Sequence, residues 1–151
     1  MSSESSQDLP FIPRNINALA NWGKSHITYK DDEEVWGKQY GQSSKETLAL
    51  RTGDCEDYAQ LFADIATDWG EESYVFTVVW INKKKHWPEG HAVAVIKMNR
   101  KIYLLDEKCT PLELDRTISN EEIADKIASD WAIYTCYMPN GVAVDHKVRK
   151  R

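Results

Sequence analysis

The chain has 151 residues, 42% hydrophobic and 28% charged, with a formal net charge of −5. A chain of that length buries one core without staples, and its acidic balance argues against a general nucleic-acid binder. Its three cysteines lack the spacing of a disulfide framework, no Cys or His pattern supports a zinc site, and no apolar run reaches the ~20 residues of a membrane span.

Met1 to Leu9 is polar and serine-rich, with no apolar signal-peptide core. A cytoplasmic protein is the expectation, and a periplasmic one if the true N-terminus has been cut away. Pro10 and Pro13 break any helix, so residues 1–13 read as a flexible arm, either disordered or loosely docked. A helix follows over about Asn15 to Ser25, offering Ile16, Leu19, Ala20 and Trp22 to a core. Asp31 to Gln42 reads as a polar loop, and Ser43 or Ser44 caps a short helix through Leu50.

The segment Gly53-Asp54-Cys55-Glu56-Asp57-Tyr58-Ala59 carries the most information. Gly53 supplies a turn, and Asp54 is an N-cap able to accept the backbone N–H of Glu56 or Asp57. Ala59, Phe62, Ala63 and Ala66 then form an apolar stripe, with Leu61 and Ile65 beside it. Cys55 stands at the start of this helix, where unpaired amides and the dipole favour a thiolate. The plain alternative is a small buried hydrophobe. Asp54, Glu56 and Asp57 oppose a thiolate, so a nucleophilic Cys55 needs an imidazolium partner.

Downstream, Tyr74 to Ile81 is a strand with Val75, Thr77 and Val79 on one face and Phe76, Val78 and Trp80 on the other, central in a sheet. The basic run Lys83-Lys84-Lys85 lies in the loop leading to His91, where it either meets an acidic substrate or is simply exposed. His91 to Ile96 is a β-branched strand opening with histidine, and Ile102 to Leu105 is a second one closing on Asp106. With so short a link they form an antiparallel hairpin. A register pairing Lys97 with Arg100 sets His91 opposite Asp106. One pairing Lys97 with Ile102 sets Asp106 opposite Val93, on the face carrying His91. Leu112 and Leu114 suggest a short edge strand, Ser119 starts a helix to about Ala128, and Ala132 to Met138 is read as the last strand. Residues 14–140 thus form one domain, and residues 141–151 a basic, frayed tail. Trp22, Trp69 and Trp80 are core candidates, whereas Trp36 and Trp87 lie in loops and could wall a cleft.

Nucleophile, base and orienting carboxylate occur in the order Cys55, His91, Asp106. Singly, His91 reads as a satisfied core histidine and Asp106 as a turn residue; together behind a capped cysteine they read as a triad. The sequence resembles the transglutaminase-like superfamily of papain-fold enzymes, and is similar in particular to the bacterial transglutaminase-like cysteine proteinases. The likeness rests on the Cys55 segment, on His91 opening a strand and on Leu105-Asp106 closing the next. It extends upstream through Asn15 to Asp32, Trp36-Gly37, Tyr40 and Glu46-Thr47-Leu48.

The resemblance implies an α+β papain-like core, its N-capped cysteine helix packed on an antiparallel sheet that carries His and Asp. It implies hydrolysis of a peptide or amide bond through a thioester, with a protein or peptide as substrate and no required cofactor. The alternatives are a protein-glutamine transglutaminase and a non-catalytic binding module that kept the fold. By position Cys55 is the nucleophile, His91 the base and acid, and Asp106 the orienter. The oxyanion hole takes the N–H of Cys55 and a second donor, for which Gln42 and Trp36 are candidates, since Gly41 stands where many relatives carry Trp. Tyr40 and Trp87 are the substrate-cleft candidates. In adhesin-cleaving relatives the acidic residues flanking the cysteine bind calcium; Asp54, Glu56 and Asp57 match those positions, with helix capping as the alternative.

Overall fold

The protein is represented by a computed structural model that describes residues 9–31 and 42–149. Helix α1, Ile16–His26, begins where Asn15 accepts the amide of Ala18 and buries Ile16, Leu19, Ala20 and Gly23. β1, Thr28–Tyr29, pairs in parallel with β2, Thr52–Gly53, an association too short to leave a period in the sequence. Between them α2, Ser44–Leu50, is closed by a Ser43–Glu46 capping box. α3, Cys55–Asp68, has a reciprocal box of its own between Asp54 and Asp57.

Gly53 has a different job from the one expected. It lies in β2, and a Cβ placed there would stand 2.6 Å from Cβ of Asp57. The glycine makes room for the capping carboxylate rather than forming a turn.

Six strands make an antiparallel sheet in the order β6-β5-β4-β3-β7-β8, so β3 is an inner strand as anticipated. β3 is Glu72–Asn82, β4 Trp87–Met98, β5 Lys101–Leu105, β6 Leu112–Asp115, β7 Ile133–Tyr137 and β8 Ala143–Val148. Helix α4, Asn120–Ile127, follows β6 and is capped by Ser119. The two residues between β4 and β5, Asn99 and Arg100, both have positive φ, 56° and 60°. Positive φ at both central positions is the geometry of a two-residue type I′ turn. That turn pairs Lys97 with Ile102 and Ala94 with Leu105, the second of the two registers weighed.

The sheet is covered on both faces. One cluster joins α1 and α3 to Val75, Ala92, Ala94, Ile96, Tyr103 and Leu105. The other joins Phe76, Val78, Val93, Val95, Ile102 and Leu104 to Ile123, Ala124 and Trp131. Each fully buried Leu, Ile or Phe contributes roughly 1.5–3 kcal/mol, which makes α3 a firmly seated element. Trp22, Trp69 and Trp80 pack partly buried against these clusters, while Trp131, unremarked in the sequence, is only 1% exposed.

Two boundaries differ from expectation, and the N-terminal arm takes the docked alternative. Residues 143–148, expected as part of a frayed basic tail, are strand β8 paired with β7. Tyr134 and Asn120 donate to Asp145, and Arg149 donates to Asp125 and lies over the Trp131 ring. Among the described residues of this run, His146, Lys147 and Arg149 thus have partners. The arm of residues 1–13 is docked over its described part, because Ile12 is buried and its carbonyl accepts the indole N–H of Trp69. β4 starts at Trp87, so Trp87 to Gly90 is strand rather than loop. Among the described residues no helix is long and apolar enough to cross a membrane.

Candidate active site

α3 packs across β3 and β4, carrying its N-terminus to the end of the β4–β5 pair that lies away from the tight turn. Three chain segments meet there. Cys55, a free and half-buried thiol, enters from the helix start. His91 projects from β4, and Asp106 follows the last residue of β5. The ring Nε2 of His91 lies 3.0 Å from Oδ2 of Asp106. The Cys55 thiol lies close enough to the ring to contribute to its basicity.

The electrostatics follow from these contacts. The Asp106 hydrogen bond, then the Cys55 hydrogen bond, lift the His91 pKa from its ordinary 6.5 to about 10, against the opposing effect of burial. Burial alone would raise the Asp106 carboxyl; hydrogen bonds from His91 and the Lys108 amide outweigh it and hold it below its ordinary value. At neutral pH the ring is therefore an imidazolium gripped by a carboxylate. The other two cysteines are different: burial pushes Cys109 and Cys136 up to about 11. They are inert thiols inside the core.

Cys55 and His91 border a cleft of about 680 Å³, with Asp106 behind the ring. Tyr29, Thr77, Val79, Gly90 and Tyr137 also line it, and none of these was singled out from the sequence. Only their strand positions could have hinted at it. Gln42 lines the cleft too, but its side-chain amide donates to Thr47 Oγ1 at 3.1 Å and the Thr52 carbonyl at 3.0 Å. Both amide protons are thereby committed, and its backbone N–H goes to Asp57. Trp36, Tyr40 and Gly41 lie outside the described residues. Trp87 is not brought to the cleft. It pairs with Asn82 at the far end of the hairpin, four residues or ~13 Å from His91, and is 66% exposed. Lys83-Lys84-Lys85 sit beyond it at the same tip, away from the cleft.

The acidic residues around Cys55 are mainly structural. Asp57 is 1% exposed; one of its oxygens accepts the amide of Gln42 and the other that of Asp54. Asp54 returns the bond by accepting the amide of Asp57, and Glu56 is exposed. A calcium ion here would compete with backbone donors for oxygens already in use, so the residues fit caps better than a calcium cage. A second grouping, His91, Asp106 and Glu107, brings its ligand atoms within 4.8 Å of one another. Within it, Nε2 of His91 is already paired with Asp106 Oδ2 at 3.0 Å.

The comparisons with known proteins agree with this architecture. A family model described as transglutaminase-like domain matches residues 12–137. A UPF0252 protein of Pyrococcus furiosus is 24% identical over 148 residues, covering 85% of this chain and 43% of its own length. A UPF0252 protein of Pyrococcus horikoshii is 32% identical over 96 residues, 64% of this chain and 28% of its own. The chain thus spans less than half the length of these curated relatives. Among solved structures, Legionella pneumophila LapG superposes with a TM-score of 0.53 at 14% identity, covering 91% of this chain and 76% of LapG. Its calcium-bound form gives the same TM-score at 13% identity, over 86% of this chain and 70% of LapG. At such identity the likeness is one of fold.

Proposed function

The chain belongs to the transglutaminase-like domain family, and on that premise we propose that it hydrolyses a peptide or amide bond through a thioester on Cys55. The observation that carries this reading is the His91–Asp106 hydrogen bond of 3.0 Å, formed by a ring that shares one cleft with Cys55.

The chemistry follows from the protonation state. In this scheme His91 holds or takes the thiol proton, and the sulfur attacks the carbonyl carbon as a thiolate. The resulting oxyanion lies toward the start of α3, whose first amides have no intrahelical acceptor. As the C–N bond breaks, His91 gives its proton to the leaving amine. Water then attacks the thioester, losing a proton to the now neutral ring, and releases a carboxylic acid and the thiolate. Asp106 holds Nε2–H throughout, which keeps Nδ1 turned to the sulfur and stabilises each imidazolium. No step uses calcium. Gln42 serves in this scheme as scaffold for the Asp57 cap.

The test is timed iodoacetamide labelling at about pH 6, where an ordinary thiol reacts slowly, with peptide mapping of all three cysteines. Selective labelling of Cys55 that slows in His91→Ala is the expected result, unchanged by EGTA. With a cleaved peptide in hand, Asp106→Asn should lower kcat by roughly 10⁴-fold. Labelling of Cys55 no faster than Cys109, and indifferent to His91, would point instead to a binding module. An amine acceptor incorporated in place of water would identify acyl transfer.

A further inference from the structure

Glu107 follows Asp106 in the chain, and the scheme above gives it no part. Its Oε1 is sealed from solvent and, among the described residues, meets no hydrogen-bond donor. That same atom lies 3.8 Å from Nε2 of His91, the nitrogen that Asp106 Oδ2 approaches to 3.0 Å. A carboxylate oxygen buried without a donor opposes folding unless a positive charge faces it. The charge it faces is the His91 ring.

Resting on the triad reading, we propose that Glu107 is a positioning residue for His91, completing with Asp106 a cradle of two carboxylates around Nε2–H. One carboxylate holds the proton directly. The other stands just beyond hydrogen-bond distance, placed to stabilise the positive ring and to receive Nε2–H when the imidazolium rocks between sulfur and leaving amine. The surroundings leave Glu107 little else to pair with. Its neighbours Tyr29, Tyr58 and Cys109 are neutral acids whose ionisation its charge further opposes, and Lys24 acts on Cys109 from α1. Asp106, Cys55 and Glu107 are the groups that face the ring itself. Nothing in the sequence flags this, because a carboxylate after a strand reads as a polar turn.

An NMR titration of the His91 ring in the full chain tests it without a substrate. Glu107→Gln keeps the side chain's size and removes its charge, so the ring pKa should fall by about one unit. Glu107→Asp should restore part of that fall. A ring that titrates alike in wild type, Glu107→Gln and Glu107→Asp would overturn the role. The triad reading fails on a different result, Cys55 labelling indifferent to His91→Ala, so the two can be refuted separately.

Discussion

The imidazole of His91 titrates near pH 10 because Asp106 and Cys55 hydrogen-bond it, and this ties the site's charge to the stability of the fold. A raised histidine pKa means the folded state holds the proton more tightly than the unfolded chain. Its contribution is complete below about pH 6.5 and is lost as pH rises through the folded value of about 10. Asp106 runs the other way: its contribution is present above its ordinary 3.8 and is lost as pH falls through its depressed folded value. Thermal unfolding should therefore be most resistant between about pH 4 and 6.5 and weaken from about pH 6.5 to 10. In His91→Ala that alkaline decline should flatten; an equal slope in both proteins would assign it to other groups. The types and chain order of Cys55, His91 and Asp106 were legible because Cys55 starts a capped helix and Asp106 follows a strand, although His91 lies inside β4 rather than opening it. Glu107 was not, since which way a carboxylate turns after a strand is decided by its packing.

The capping box of α3 links element to site. Asp57 accepts two backbone amides from a nearly sealed position, and Gly53 must lack a side chain for it to fit. Gly53→Ala should overpack this junction and lower stability by about 1–3 kcal/mol in chemical denaturation. Because the shifted cap is also the seat of Cys55, labelling of that thiol should slow in the same variant. Unchanged stability would show that α3 can slide to accept a methyl group. The sequence offered the helix, its cap and its apolar stripe correctly, since all are set by residues within four positions. It misassigned Gly53 because a close approach between β2 and the next helix has no signature other than the glycine itself.

Across the molecule, β8 closes one edge of the sheet. It supplies Asp145 to Tyr134 and Asn120, and it leads to Arg149, which reaches Asp125 and the face of Trp131. Ending the chain at Asn140 would remove all of these and bare the edge of β7. The truncated protein should lose at least ~2 kcal/mol, summed over a cation–π contact and several hydrogen bonds, and self-associate on size-exclusion chromatography. A monomer of full stability would mean that the strand is dispensable. The run His146-Lys147-Val148-Arg149-Lys150-Arg151 hid this strand, because its charges outweigh the valines at 142, 144 and 148 that alternate beneath them.

The sequence by itself determined the helices and most of the strands, and it named the three residues on which the proposed function rests, because caps, stripes and alternation are interactions between near neighbours in the chain. Only the tertiary structure decided that Asn99 and Arg100 turn with positive φ and so set the Lys97–Ile102 register. It alone decided that α3 lies where Cys55 reaches His91, that Trp87 stands away from the cleft, and that Glu107 faces the ring. Those outcomes depend on how segments far apart in sequence fill one core, and no local pattern encodes that fit.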